Sequence, residues 1–373
     1  MSEYLFWFSV FLIVYPYTIY PAVLWVFVKW KKVRFGPNAD FSGSIAIVCS
    51  VYNEEKVIAE KIKNFYSLET PLAELYLGLD GCTDKTLIEI NRVVVDQRVK
   101  VFVYQRGGKV KVLNALLSEV HHSLVVMTDA NSMFKPDAVN KMVSHMRQGI
   151  GVVCGRLVLV DQSGHSGESI YWRFETLIKM FESQFGSVVG ANGAIYLFRR
   201  ALFQVLPANT INDDFSISMK IYQDGYEIVY ADNAIAEEQQ VTTDIEEFRR
   251  HVRDAAGHFR ALVYLKRLLN PLQGKKFFFY MSHRVVRWIG PFLLIINLLV
   301  NLQLALNHVG WRNLFFAQLF GYTLMLSVHF SGIRWKPLYV PYYFMLINFA
   351  ILVGFLKNLF GFQKASWDST RRQ

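Results

Sequence analysis

The stretch VVMTDANSMF, residues 125–134, decides how the middle of this chain reads. Leu124, Val125, Val126 and Met127 form a short, unbroken apolar run, the pattern of a strand buried on both faces. The run stops at Asp129, and Asn131 follows two residues later among turn-forming neighbours. An acid and an amide at the carboxyl end of a core strand can serve as turn or cap residues. They can equally offer oxygen atoms to a ligand held beyond that strand end.

Working outward, three similar runs precede this one: IAIVCSV (45–51), LYLGL (75–79) and VKVFVY (99–104). Helical spacing of apolar residues, as in EEKVIAEKIKNFYSL, separates them. Short strands alternating with helices predict an α/β domain with a mainly parallel sheet over residues 44–270. Polar residues collect after each strand. Tyr52, Asn53, Glu54 and Glu55 follow the first, and Asp80, Gly81, Cys82, Thr83 and Asp84 the second. RGGKVKVLNA (106–115) follows the third. Any single set reads as turn chemistry, and Asp84 is expected to be no more than that. Four sets on one rim of a parallel sheet predict a ligand site.

The ends of the chain read differently. Of the 373 residues 53% are hydrophobic, and mean hydropathy is positive. Tyr4 to Val28 carries no charge and, at ~1.5 Å per residue, exceeds the ~30 Å of a hydrocarbon core. Glu3 rather than a basic segment precedes it, and no small-residue cleavage site follows, so a membrane helix over 1–30 is expected instead of a cleaved leader. Ile289–Leu306, Leu314–Phe330 and Leu338–Leu356 are further candidate spans within 289–360. Lys29, Lys31, Lys32 and Arg34 place the middle domain in the cytoplasm. Three late spans would then put the basic tail (361–373), with Lys364, Arg371 and Arg372, outside, so one late segment is expected to lie flat or re-enter. FFFYMSHRVVRW, within 271–288, has the aromatic and basic mixture of an interfacial helix.

Cys49, Cys82 and Cys154 lack paired spacing and suit a reducing interior. A net charge of +10 suits anionic lipid and a phosphorylated substrate. No dense basic run or recognition motif points to nucleic acid as a partner. Lys109 behind a Gly-Gly pair can reach an anion, yet neither GxxxxGK[ST] nor GxGxxG is present. Asp129 and Asn131 offer two hard oxygens, a partial shell for Mg2+ or Mn2+ that a diphosphate would complete.

In order, VCSVYNEE, GLDGCTD, GGKVKVLN, TDAN and INDDF resemble the membrane-embedded family 2 glycosyltransferases, the cellulose, hyaluronan and chitin synthase-like group. The resemblance implies a GT-A, Rossmann-like nucleotide-sugar domain with α-helical transmembrane segments at both ends. It implies inverting transfer from a nucleoside diphosphate sugar to a polysaccharide or lipid-linked acceptor, at a bacterial inner membrane. On that pattern Tyr52 and Glu54 line the donor pocket, Tyr52 against the base. Asp80 holds base or ribose, and Lys109 lies near ribose or phosphates. Asp129 and Asn131 match the metal-binding DxD, and Asp213 with Asp214 the Glu-Asp pair. Asp214 is the expected general base, its pKa raised by its neighbour, while Asp213 can cap the helix that follows. Gly190, Asn192 and Gly193, in GSVVGANGAIYLFRR (186–200), match the acceptor-side segment.

Three departures stand out. Leu79 replaces the first acid of an Asp-Asp pair, Asn131 replaces a carboxylate of DxD, and the QxxRW expected of polymer-forming relatives is missing from RRHVRDAAGHFRAL (249–262). Arg253, with Arg249 and His258, is the candidate cation beside the departing diphosphate; a solvated basic face is the alternative. Single transfer and polymer synthesis both remain open. A non-catalytic nucleotide-sugar-binding or assembly protein is the reading from another class. A transporter fits poorly, because the late apolar stretches hold few ionisable residues.

Overall fold

The computed structural model describes residues 1–30, 43–160, 170–186, 188–239, 244–332 and 335–363. The basic flank at Lys31, Lys32 and Arg34 and the tail charges at Lys364, Arg371 and Arg372 lie outside them. The chain divides into two compact units. One takes in Val26–Val241 and Ala261–Phe279; the other takes in Met1–Trp25, Thr242–Arg260 and Tyr280–Gln363.

In the first unit the strands form where the apolar runs stand: β1 (Ile45–Val51), β2 (Glu74–Asp80), β3 (Val99–Tyr104) and β4 (Leu124–Met127). Then come β5 (Met133–Phe134), β6 (Ile150–Val160), β7 (Tyr196–Arg199) and β8 (Glu227–Gln239). They make one sheet in the order β3-β2-β1-β4-β7-β6-β8-β5. β3, β2, β1 and β4 pair in parallel, so their carboxyl ends share one rim. β4 is buried throughout and β2 along all but its first residue, as strands covered on both faces must be.

The sheet is mixed: among the described residues four of its seven pairings are parallel and three are antiparallel. β7 runs antiparallel to both β4 and β6, and β5 antiparallel to β8, while β6 and β8 are parallel. Side-chain hydropathy records whether a strand is buried but not which way it runs, so the reversed strands β7 and β5 could not be read from it. The reversal matters for the site. Because Tyr196 pairs with Met127, the segment just before β7 enters the sheet at the same rim that β4 leaves from.

Two rim loops are laced together. Asn53 adopts φ 52°, a left-handed conformation that Asn tolerates better than most residues. Its Oδ1 accepts from the Thr83 N–H at 2.8 Å, and its Nδ2 donates to Thr83 Oγ1 at 3.2 Å. The Glu54 N–H donates to Thr86 Oγ1 and the Glu55 N–H to Asp84 Oδ2. Asp84 also accepts from the Thr86 N–H at 3.0 Å, so it is the turn residue expected of it.

In the second unit, Gly290–Asn307, Val309–Ser331 and Lys336–Leu359 are helices long and apolar enough to cross a membrane. The amino-terminal segment is different. It forms two helices, Ser2–Val14 and Ile19–Trp30, bent by 55°, which can serve as one broken span or as a re-entrant loop. Membrane helices are therefore clear at the carboxyl end alone. Pro16, in the break, has no N–H to continue the ladder, a constraint that hydropathy does not register. The aromatic and basic stretch before Gly290 is helical over Lys275–Tyr280, makes a π turn at Met281–Val285 and resumes over Val286–Trp288.

A polar ladder ties these apolar helices together. Asn297 Nδ2 donates to Ser9 Oγ at 2.8 Å, and Gln318 Nε2 donates to Asn297 Oδ1 at 3.1 Å. Asn301 Nδ2 donates to Gln318 Oε1 at 2.7 Å. In hydrocarbon such amides act as interhelical glue. Asn297→Leu is expected to lower stability in lipid by ~1–2 kcal/mol, read by titration with denaturing detergent. Elsewhere in this unit Gly354 lies so close to the helix Asp244–Tyr264 that a Cβ there would meet the Val252 carbonyl at 2.5 Å and Ala255 Cβ at 2.7 Å.

Candidate active site

Asp80 ends β2 and is 1% exposed. A buried carboxylate must be compensated, and the loop after β3 does so. Asp80 Oδ1 accepts from the Gly107 N–H at 2.6 Å, its Oδ2 from the Gly108 N–H at 3.0 Å, and Arg106 forms an ion pair with it. Gly108 holds φ 92° there, a conformation glycine adopts without strain. The loop in turn presents Arg106, whose guanidinium lies over the Tyr52 ring at 3.4 Å from its centroid. Asp80 and Tyr52, both expected as donor contacts, are thus joined through Arg106, which sequence reasoning passed over. Its place directly before Gly-Gly was the available signal.

Gly108 also starts the helix Lys109–Glu119, so Lys109 stands at a helix amino terminus. Its Nζ donates to Asp129 Oδ1 at 3.0 Å and lies 3.2 Å from Asp213 Oδ1. Asp213 and Asp214 form the first turn of the helix Asp213–Gln223, where the helix dipole favours carboxylates. Asp214 Oδ1 accepts from the Phe215 N–H at 2.8 Å. Gly193, in the segment before β7, completes the arrangement. A Cβ there would lie 3.1 Å from Asp129 Oδ2 and 3.6 Å from Asp214 Oδ2. Asp129 and Asp214 therefore face one space, floored by a residue without a side chain.

The electrostatics follow from crowding three carboxylates around one ammonium. Burial, and then the charge of Asp213, push the Asp214 carboxyl up to about 7, with Lys109 opposing. Lys109 stays charged: Asp129 and Asp213 raise its pKa against the cost of burial. Tyr196, at the start of β7, is buried, and its hydroxyl has no hydrogen-bond partner among the described residues. Burial first, then the charges of Asp213, Asp214 and Asp129, hold that phenol far above its ordinary pKa. It was invisible in the sequence because an aromatic in an apolar run reads as core.

A family model described as Glycosyltransferase like family 2 matches residues 43–257. The chain belongs to this family. It is 22% identical over 240 residues to a poly-beta-1,6-N-acetyl-D-glucosamine synthase of Staphylococcus aureus (strain COL), covering 59% of this chain and 58% of that one. To the Staphylococcus epidermidis synthase it is 23% identical over 244 residues, 60% of this chain and 59% of the relative. The chain thus spans less than two thirds of these curated relatives. A solved mannosyltransferase from Pyrobaculum calidifontis, in complex with GDP-Man and Mn2+, superposes over 97% of this chain and 99% of its own, with TM-score 0.73 at 16% identity. That likeness speaks for the fold, a mixed α/β sheet of the GT-A type.

The remaining candidates of this glycosyltransferase are placed as follows. Glu54 is half-buried, with its backbone N–H bound to Thr86. Gly190 holds φ 91°, and a Cβ there would meet the Phe215 ring at 2.5 Å. Asn192 spends its amide on structure: Nδ2 donates to the Gly155 carbonyl at 3.0 Å, and Oδ1 accepts from the Ile195 N–H at 3.1 Å. Of the acceptor-side trio, Gly193 is the one that borders the carboxylates. Arg253 belongs to the other compact unit, where it pairs with Asp254 at 3.1 Å.

Asp129 and Asn131 carry hard oxygens on one turn after β4, which suits Mg2+ or Mn2+ as a partial shell. Among the described residues no group of three or more His, Cys, Asp or Glu side chains forms a metal cage. Two such oxygens would leave the rest of an ion's shell to substrate phosphates and water.

Proposed function

We propose that this enzyme moves a sugar, with inversion, from a nucleoside diphosphate sugar to a lipid-linked acceptor at the membrane. The observation that carries the proposal is the meeting of Asp129, Asp214 and Gly193 around one space, with Lys109 bound to both Asp129 and Asp213. Asp214 accepts the proton of the acceptor hydroxyl as its oxygen attacks the anomeric carbon. The new glycosidic bond forms on the face opposite the breaking bond to the diphosphate. Lys109 offsets the charge that grows on the departing diphosphate. Tyr52 and Arg106 cover the base side, and Asp80 holds the loop that carries Arg106 and Lys109. Mg2+ or Mn2+, held by Asp129 and Asn131 with the phosphates, would add positive charge at the leaving group.

The GDP-Man and Mn2+ of the structural neighbour support a donor of this class. Three apolar helices on the same chain support an acceptor held at the membrane. Polymer synthesis is the second reading, favoured by the named activity of the staphylococcal relatives. Purified protein incubated with labelled GDP- and UDP-sugars, Mn2+ and membrane lipid decides between them. One discrete lipid product supports the first reading, and a ladder supports the second. No nucleoside diphosphate release from any donor sinks both and favours a binding protein.

A pH profile tests the base. With Asp214 near 7 in the free enzyme, kcat/KM falls as pH drops through about 7 and the carboxylate takes up its proton. Asp213→Asn removes the charge that raises Asp214, so its acidic limb is expected at lower pH. An unshifted limb would assign the titration to another group.

A further inference from the structure

Lys61 takes no part in the rim. It lies on the helix Ile58–Tyr66, among Ile58, Ile62 and Phe65, and is 2% exposed. An ammonium in a core costs several kcal/mol unless it is compensated, and a Met or Leu would fill the same space without that cost. The compensation is specific. Nζ donates to Thr128 Oγ1 at 2.8 Å and to the Ser132 carbonyl, and it sits 4.3 Å from the centroid of the Phe134 ring. Burial pulls its pKa down to about 8, while Cys49, Asp129 and Glu238 act to keep it charged.

Its two hydrogen-bond partners bracket Asp129 and Asn131. The turn is closed by the Ser132 N–H bonding to the Asp129 carbonyl at 3.2 Å, and is anchored by the Thr128 N–H on the Val48 carbonyl at 3.1 Å. From the far side, Ser132 Oγ binds Glu238 Oε1. We infer that Lys61 is the positioning residue of this turn: its buried ammonium clasps Thr128 to Ser132 and so fixes how Asp129 and Asn131 present their oxygens to a diphosphate and its divalent ion. The inference rests on the donor reading above. Its physical basis is pre-organisation. With a neutral amide at Asn131 the site attracts a cation less strongly than two carboxylates would, and a turn that had to be ordered on binding would weaken it further.

The test uses the full chain in detergent, as unaltered protein, Lys61→Met and Thr128→Val. Amide exchange needs no ligand: in Lys61→Met the peptide spanning 126–134 is expected to exchange about tenfold faster, with the other strands unchanged. Bound Mn2+, followed by its electron paramagnetic resonance with GDP or UDP present, is expected to weaken about tenfold. Thr128→Val loses one tie and should weaken binding about threefold. Unchanged exchange, or Mn2+ binding equal to that of unaltered protein, overturns the clasp. Should Lys61→Met fail to fold, Thr128→Val decides by the same readouts. If unaltered protein binds Mn2+ with neither nucleotide, the donor reading fails, while amide exchange still judges the clasp.

Discussion

Asp214→Asn is expected to slow transfer by ~10²–10⁴-fold, the contribution of a positioned general base, with donor binding little changed. The substitution keeps shape and the Oδ1 that accepts from Phe215, so the helix start survives. What it removes is a proton acceptor poised by burial and by Asp213 to titrate near neutrality. The clean readout is donor turnover with and without acceptor, beside the unaltered protein. Transfer at the unaltered rate would dismiss Asp214 as the base and leave it an acidic residue of the first helical turn.

Lys109→Met comes second, with an expected loss of ~10²–10³-fold in kcat, the range for removing one group that stabilises developing charge. Two effects compound here. The departing diphosphate loses a cation, and Asp129 and Asp213 lose the ammonium that holds them 3.0 Å and 3.2 Å away. Lys109 also lowers the pKa of Asp214, so the acidic limb of kcat/KM should move to higher pH, opposite to the shift in Asp213→Asn. Limbs that move the same way would contradict the coupled site.

Much of this site could be read from the chain. β1 and β3 were legible to the residue: β1 is the largely buried strand that its apolar run implies, and β3, the edge strand, kept enough apolar residues to be read although only Val99 is fully buried. The rim residues followed, since parallel neighbours bring their carboxyl ends together. Asp84 as a turn residue was also legible. Lys61 was within reach, three residues after Ile58 and four before Phe65 on the buried face of its helix. It was passed over because a lysine beside Glu60 and two residues before Lys63 looks solvated. Asp80 was assigned to a ligand, and local sequence gave no sign that two glycine N–H groups and Arg106 occupy its carboxylate.

What the sequence by itself determined is the inventory: which segments are core strands, which late segments are long apolar helices, and which acids and cations stand at strand ends. These depend on hydropathy period and turn chemistry, which act over a few residues. Only the tertiary structure decided the pairings. It reversed β7 beside β4, set Gly193 between Asp129 and Asp214, joined Lys109 to Asp213, and seated Lys61 beneath the turn. Each of these joins residues far apart in the chain, and which distant groups meet is chosen by packing the whole sheet.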